Sequence, residues 1–381
     1  MKPSSRLHGL DTLRALAIVL VFMNHYMIFV SHKPTFGFFS EIGWAGVDLF
    51  FALSGYLIGN QIFGSLRRGG FSLKNFYARR LLRTLPNYYV VLALYAFWPY
   101  FAGAAQPAPW WKYFSFTLNF QLIPGTLFSH AWSLCVEEQF YMLLPALALL
   151  IASWRRSLAW AWIAILASFA AGMLIRGWLW QQVQPPPDGS AAFYTSIYYS
   201  TLCRFDELVA GVALALLKNF HRPLWARCTA YGNWTLAAGL LITVLALNEF
   251  HDDHYGQALT VAGYPLLGLG FSLLLLSALS PASWLSRLRV PGASAIAIWS
   301  YAIYLTHKQL CILLKPELLK HGMGPESAGG IAIMLLASGL AGWLLYLLVE
   351  TPFMKLRERY VPSNEAGTRA ARPAPAAEWQ V

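Results

Sequence analysis

Apolar runs of bilayer length recur from one end of this chain to the other, and they leave few folds open to it. Ten can be marked, at 10–30, 42–62, 86–105, 130–152, 158–178, 197–217, 233–249, 261–279, 293–313 and 329–350. A membrane-spanning helix needs about 20 mostly apolar residues, so ten spans with short connections account for nearly all of the 381 residues. Composition agrees. Hydrophobic residues make up 57% of the chain and charged residues 12%, where soluble domains carry about 25% charged. So little charge does not coat a water-soluble domain of this size, which excludes a soluble enzyme, a disordered chain and a disulfide scaffold. The expected fold is an all-α polytopic membrane protein, a bundle of about ten transmembrane helices. Residues 1–355 form the membrane domain and 356–381 a cytoplasmic, Pro/Ala-rich disordered tail. The segment Trp110–Ile123 is apolar but short, and reads as an interfacial or re-entrant piece.

The 28 Lys and Arg against 17 Asp and Glu give a net charge of +11. In a soluble protein that excess would point to nucleic acid. Here it follows the positive-inside bias of membrane proteins. With the N-terminus in the cytoplasm and the spans alternating, 20 basic residues fall on the cytoplasmic side. Six fall outside: Lys33, Lys112, Arg176, Lys308, Lys315 and Lys320. Arg14 and Arg204 lie inside spans. Both termini are therefore expected in the cytoplasm, with the lipid bilayer and no nucleic acid as partner. The first apolar run carries His25 and no small-residue cleavage site follows it, so it does not read as a cleavable signal peptide. The four cysteines are far apart, which gives no disulfide framework and no zinc or redox motif, and no metal site is expected.

Charged side chains inside spans are costly and normally face a bundle interior or a watery cavity. Arg14 and His25 share the first span. Eleven residues is about three helical turns, which puts them on one face ~16 Å apart. Asp48 lies on the second span, Glu137 and Glu138 on the fourth, Arg204, Asp206 and Glu207 on the sixth, and His307 on the ninth. Alternating span directions bring His25, Asp48, Glu137, Arg204, Asp206 and His307 to one depth in the outer half. Arg14 and Glu350 fall near the inner face, above the loop 67–83 with its six positive charges and no acidic residue. Plainer readings stand beside these. The basic loop can be a topology signal, Asp48 or Glu137 a structural partner of Arg204, and His307 a satisfied core histidine. Asp11, three residues before Arg14, can simply pair with it.

Seven motifs carry a resemblance. The first is Leu10-Asp11-Thr12-Leu13-Arg14-Ala15, with ten residues between Arg14 and His25. The second runs from Gly46-Val47-Asp48 to Ser54-Gly55-Tyr56. Arg79-Arg80-Leu81-Leu82-Arg83 and Trp132-Ser133-Leu134-Cys135-Val136-Glu137-Glu138-Gln139 come next. Weaker matches lie at Arg204-Phe205-Asp206-Glu207, at Tyr304-Leu305-Thr306-His307 and at Glu350-Thr351-Pro352. In this order and spacing the chain resembles the acyltransferase-3 family of integral membrane acyltransferases, from Leu10 to about Pro352.

The resemblance implies a multi-pass protein of a bacterial cytoplasmic (inner) membrane. It would transfer an acyl group, acetyl in the first instance, from acyl-CoA to a hydroxyl of a carbohydrate, a lipid-linked glycan or a small acceptor. Catalysis falls to His25 as general base, with an acylated His25 as the second choice, and to a carboxylate that orients its ring, Glu137 before Asp48. Arg14, Arg79, Arg80 and Arg83 are the candidates for the CoA phosphates, since the planar guanidinium suits phosphate oxygens. Arg204, Asp206, His307 and Glu138 are substrate-binding candidates. Some relatives continue into a soluble esterase-like domain where this chain has about twenty residues, so no second transfer step on the same polypeptide is expected. A proton-coupled transporter is the rival class, because buried ionisable groups suit it equally. The sequence shows neither an inverted repeat nor a matched pair of Gly/Pro-broken spans. A scaffold or sensor would leave the outer-half groups without a purpose.

Overall fold

The computed structural model describes residues 7–154 and 157–364. Among them the ordered elements are helical throughout, with no β-strand. Ten helices have fifteen residues or more, and each expected span falls on one of them. They are α1 (His8–Tyr26), α2 (Ala45–Arg67), α3 (Leu73–Phe97), α4 (Trp132–Trp154) and α5 (Leu158–Val183), followed by α6 (Asp206–Phe220), α7 (Gly232–Asp252), α8 (Tyr264–Leu279), α9 (Ala293–Lys320) and α10 (Ala328–Leu345). α11 (Thr351–Tyr360) continues past residue 355, and the expected tail from 365 onward lies outside the described residues.

Seven segments are long and apolar enough to cross a membrane, those built on α1, α2, α4, α5, α7, α8 and α10. The other three fall short for visible reasons. α6 has only 15 residues. α3 opens on Lys74, Arg79, Arg80 and Arg83 and carries Pro86 inside it. α9 is 28 residues long, but its apolarity is diluted by groups the protein buries, among them Ser300, His307, Lys308 and Gln309.

The chain forms two compact units. The first takes residues up to Phe50, then Ala78–Ala105 and Leu288–Val361; the second takes Phe51–Tyr77, Gln106–Arg287 and the residues from Pro362. In the first unit α1 packs along α9, and α9 along α10. Phe22, Tyr26, Val30, Cys311, Leu318 and Met334 form a buried apolar cluster there. In the second unit α7 and α8 pair most extensively, and α6 lies against α8 and α5.

Two cations that the alternation assigns to the outer side are buried inside helices. Arg176 is inside α5 and fully buried, and Lys308 is inside α9 at 7% exposure. Each is tolerated because something local answers its charge. Asp206 faces Arg176, and the Lys308 ammonium sits 4.1 Å from the centre of the Phe29 ring. The segment Trp110–Ile123 contains one short helix, Trp110–Phe114, and is tied to the bundle rather than loosely laid on it. Gln139 of α4 donates to Phe116 O at 2.7 Å and to Asn119 Oδ1 at 2.9 Å, and accepts from Thr201 Oγ1 at 2.6 Å.

Candidate active site

In the first unit α1 is an unbroken helix from His8 to Tyr26, so Arg14 and His25 do stand three turns apart, ~16 Å along one axis. A π-helical turn, Met27–Ser31, begins two residues after His25; such wide turns are frequent at functional sites. The ring of His25 is met by His307 from α9. Its Nδ1 lies 2.9 Å from His307 Nε2, with the two rings parallel within 4°. The other nitrogen of His307, Nδ1, is 2.8 Å from the carbonyl oxygen of Ile303 one turn earlier. His307 is 1% exposed, while His25 is only partly buried. Phe22, Phe29 and Tyr304 wall the pair, with ring centres 5.6–6.5 Å from one or other imidazole. His307, a substrate-binding candidate from sequence, is thus a direct partner of His25.

The same unit holds a cleft of about 690 Å³ lined by Arg14, Arg83, Lys355 and Arg359, with Glu350 and Glu358 among them. Glu350 ends another π-helical turn, Tyr346–Glu350, and accepts from Asn87 Nδ2 at 2.9 Å. Burial, together with nearby Arg14 and Arg80, pushes the Arg83 guanidinium down to about 10, so it stays charged at neutral pH. Of the four arginines proposed for an anion, Arg14 and Arg83 line the cleft and Arg80 adds its field. Arg79 does not line the cleft: it donates to Val361 O at 2.6 Å and, at the cleft's edge, to Glu358 Oε1 at 2.5 Å. Asp11 accepts from Ser294 Oγ at 2.9 Å, at the start of α9.

Asp48 is fully buried in the first turn of α2. Gly46, two residues before it, lets α2 start directly against α1: a Cβ there would stand 2.4 Å from Ala17 O. Only a hydrogen side chain fits that approach.

In the second unit Glu137 Oε1 accepts from Ser54 Oγ at 2.9 Å, and Glu138 is buried beside it at 8% exposure. Asp206, another substrate-binding candidate, is fully buried and taken up by Arg176 through both carboxylate oxygens, one of them at 3.1 Å from Nη2. Arg176 also donates to Cys203 O at 2.8 Å and Val261 O at 2.9 Å. That geometry occupies both terminal nitrogens of the guanidinium within the protein, leaves its Nε without a hydrogen bond, and gives Asp206 a buried ionic partner. Arg204 is equally buried, its guanidinium 4.3 Å from the Tyr264 ring centre, 4.5 Å from Tyr198 and 5.3 Å from Trp132. Among the described residues no three His, Cys, Asp or Glu side chains gather as a metal site.

The acyltransferase domain model of the acyltransferase-3 family matches residues 7–349. The chain belongs to that family. It is 27% identical over 373 residues to the peptidoglycan O-acetyltransferase OatA of Listeria monocytogenes, covering 91% of this chain and 56% of OatA. YrhL of Bacillus subtilis, a candidate peptidoglycan O-acetyltransferase by name, is 27% identical over 367 residues, covering 90% and 54%. A candidate O-acetyltransferase of Staphylococcus aureus is 26% identical over 388 residues, covering 93% and 59%. The chain thus spans a little more than half the length of these relatives. No solved structure matches it. Membership in this family and seven bilayer-length apolar segments make it an integral membrane protein.

The sequence does not single out Arg176, Asn87 and Ser54, which partner candidate residues, or Gln139, which ties Phe116, Asn119 and Thr201 together. Ser54 and Gln139 stand inside quoted motifs, so a signal existed. Arg176 had one too, as a lone cation in an apolar helix.

Proposed function

We propose that this acyltransferase-3 protein moves an acyl group, acetyl in the first instance, from acyl-CoA to a hydroxyl of a glycan or glycan-like acceptor. The observation that carries the reading is the imidazole of His25, partly exposed and held by His307, on the same helix face as Arg14 in the basic cleft. Acyl transfer needs a base for the hydroxyl proton, and histidine titrates near neutrality. The donor needs fixed cations for its phosphates, and Arg14, Arg83, Lys355 and Arg359 offer them. The pantetheine arm of CoA is long and thin, suited to the ~16 Å between Arg14 and His25. A glycan acceptor is supported by the resemblance to OatA, whose name specifies peptidoglycan. With both termini in the cytoplasm of a bacterial inner membrane, the cleft faces the cytoplasmic pool of acyl-CoA.

The test is transfer from radiolabelled acetyl-CoA to soluble peptidoglycan fragments by the purified protein in lipid. Wild type is expected to label the fragments, and His25→Ala to abolish labelling while inserting normally. Labelling retained in His25→Ala removes the base assignment.

A further inference from the structure

We infer that His307 is a positioning residue that fixes the tautomer of His25, leaving the basic lone pair on His25 Nε2. The inference rests on the reading of His25 as the base and goes one atom further, to which nitrogen does the work. A carbonyl oxygen only accepts, so the 2.8 Å contact to Ile303 O requires the proton of neutral His307 on Nδ1. His307 Nε2 then carries a lone pair and accepts. The atom 2.9 Å away, His25 Nδ1, must donate. A neutral imidazole has one N–H, so once Nδ1 of His25 holds it, Nε2 is the base.

This is the less common form of histidine in water, where Nε2 usually keeps the proton. The partner must therefore select it, and a buried partner among aromatic rings does so strongly, because hydrogen bonds strengthen as water is excluded. The carbonyl of Ile303 and His307 thus do for His25 what a buried carboxylate does for the histidine of a hydrolase triad. In the reaction the acceptor O–H bond breaks and its proton bonds to His25 Nε2. The acceptor oxygen bonds to the acyl carbon, the carbon–sulfur bond of the thioester breaks, and the proton passes from Nε2 to the departing thiolate. Throughout, the Nδ1–H of His25 stays on His307 Nε2, where it steadies the transient imidazolium.

The experiment is solid-state nitrogen NMR of the full chain in lipid bilayers, with ¹⁵N-labelled histidine, above the pH at which histidine protonates. Signals are assigned by their loss in His25→Gln and His307→Gln. Wild-type His25 is expected as the Nδ1–H tautomer and to convert to Nε2–H in His307→Leu. Nε2–H in wild-type His25, or Nδ1–H persisting in His307→Leu, overturns the inference. Should His307→Leu not fold, His307→Gln decides: its amide oxygen can accept, so His25 must remain Nδ1–H, and conversion there overturns the inference equally. In the acetyl-CoA assay, His307→Leu is expected to lose a hundredfold or more in kcat with the KM for acetyl-CoA within threefold, and His307→Gln to stay within tenfold of wild type. Activity surviving in His25→Ala would remove the base reading. An inactive His25→Ala beside a fully active His307→Leu would remove only the positioning role.

Discussion

Asn87 of α3 donates to Glu350 across 2.9 Å, and so holds a carboxylate at the edge of a cleft lined by Arg14 and Arg83. Glu350 is 7% exposed. Its removal would leave guanidinium charge partly buried with less to answer it, a loss of about 3 kcal/mol by analogy with broken buried pairs. Glu350→Ala is expected to melt well below wild type in detergent, and Glu350→Gln, which keeps an acceptor for Asn87, to fall between them. Equal melting of the Ala variant and wild type would show that the carboxylate does not balance the arginines.

The cleft also sorts the arginines by task. Each charge-assisted hydrogen bond to a phosphate is worth about 1.5–3 kcal/mol, or roughly tenfold or more in affinity. Arg14→Ala and Arg83→Ala are therefore expected to raise the KM for acetyl-CoA at least tenfold. Arg79→Ala should leave it within threefold, since that guanidinium is held by Val361 O and Glu358. Steady-state kinetics of the three variants check this. An Arg79 effect as large as that of Arg14 would place the donor phosphates elsewhere.

The buried Arg176–Asp206 pair makes a sharper stability prediction. Removing either partner strands a charge in the second unit, at a cost of about 3–5 kcal/mol. Arg176→Ala and Asp206→Ala should each be strongly destabilised, and the double variant should lose far less than the sum of the two. Additive losses in thermal unfolding would mean the two residues act independently.

How much of this was legible beforehand depends on the range of the interaction. The ten helices could be read from local apolar runs, and α1 carries Arg14 and His25 on one face because three turns of helix are a local fact. The chemical singularity of His25 and Asp48 was also visible, as polar groups on an apolar background. What could not be read is pairing across the chain. His25 and His307 are 282 residues apart, and Asn87 and Glu350 are 263 apart. No periodicity encodes which helix meets which. The alternating count also placed Arg176 and Lys308 with the outer cations, because it does not show which cations the fold buries. A cation with a carboxylate or an aromatic ring in reach has an alternative to water.

A close backbone contact seats the start of α2 on α1. Gly43 and Gly46 lie against Leu20 O and Ala17 O, where a Cβ would stand 2.2 and 2.4 Å away. Small residues three or four apart let membrane helices approach this closely. Ala17 lies between Arg14 and His25, so pushing α2 away at Gly46 also disturbs the helix that carries both. Gly46→Ala is expected to cost about 1–3 kcal/mol, the range for overpacking, and to lower kcat in the acetyl-CoA assay. Gly70→Ala is the control, because nothing lies within 4 Å of its Cβ position. Its melting temperature and kcat should match wild type. A Gly46→Ala protein as stable and active as the Gly70→Ala control would show that α1 and α2 have room to separate without loss.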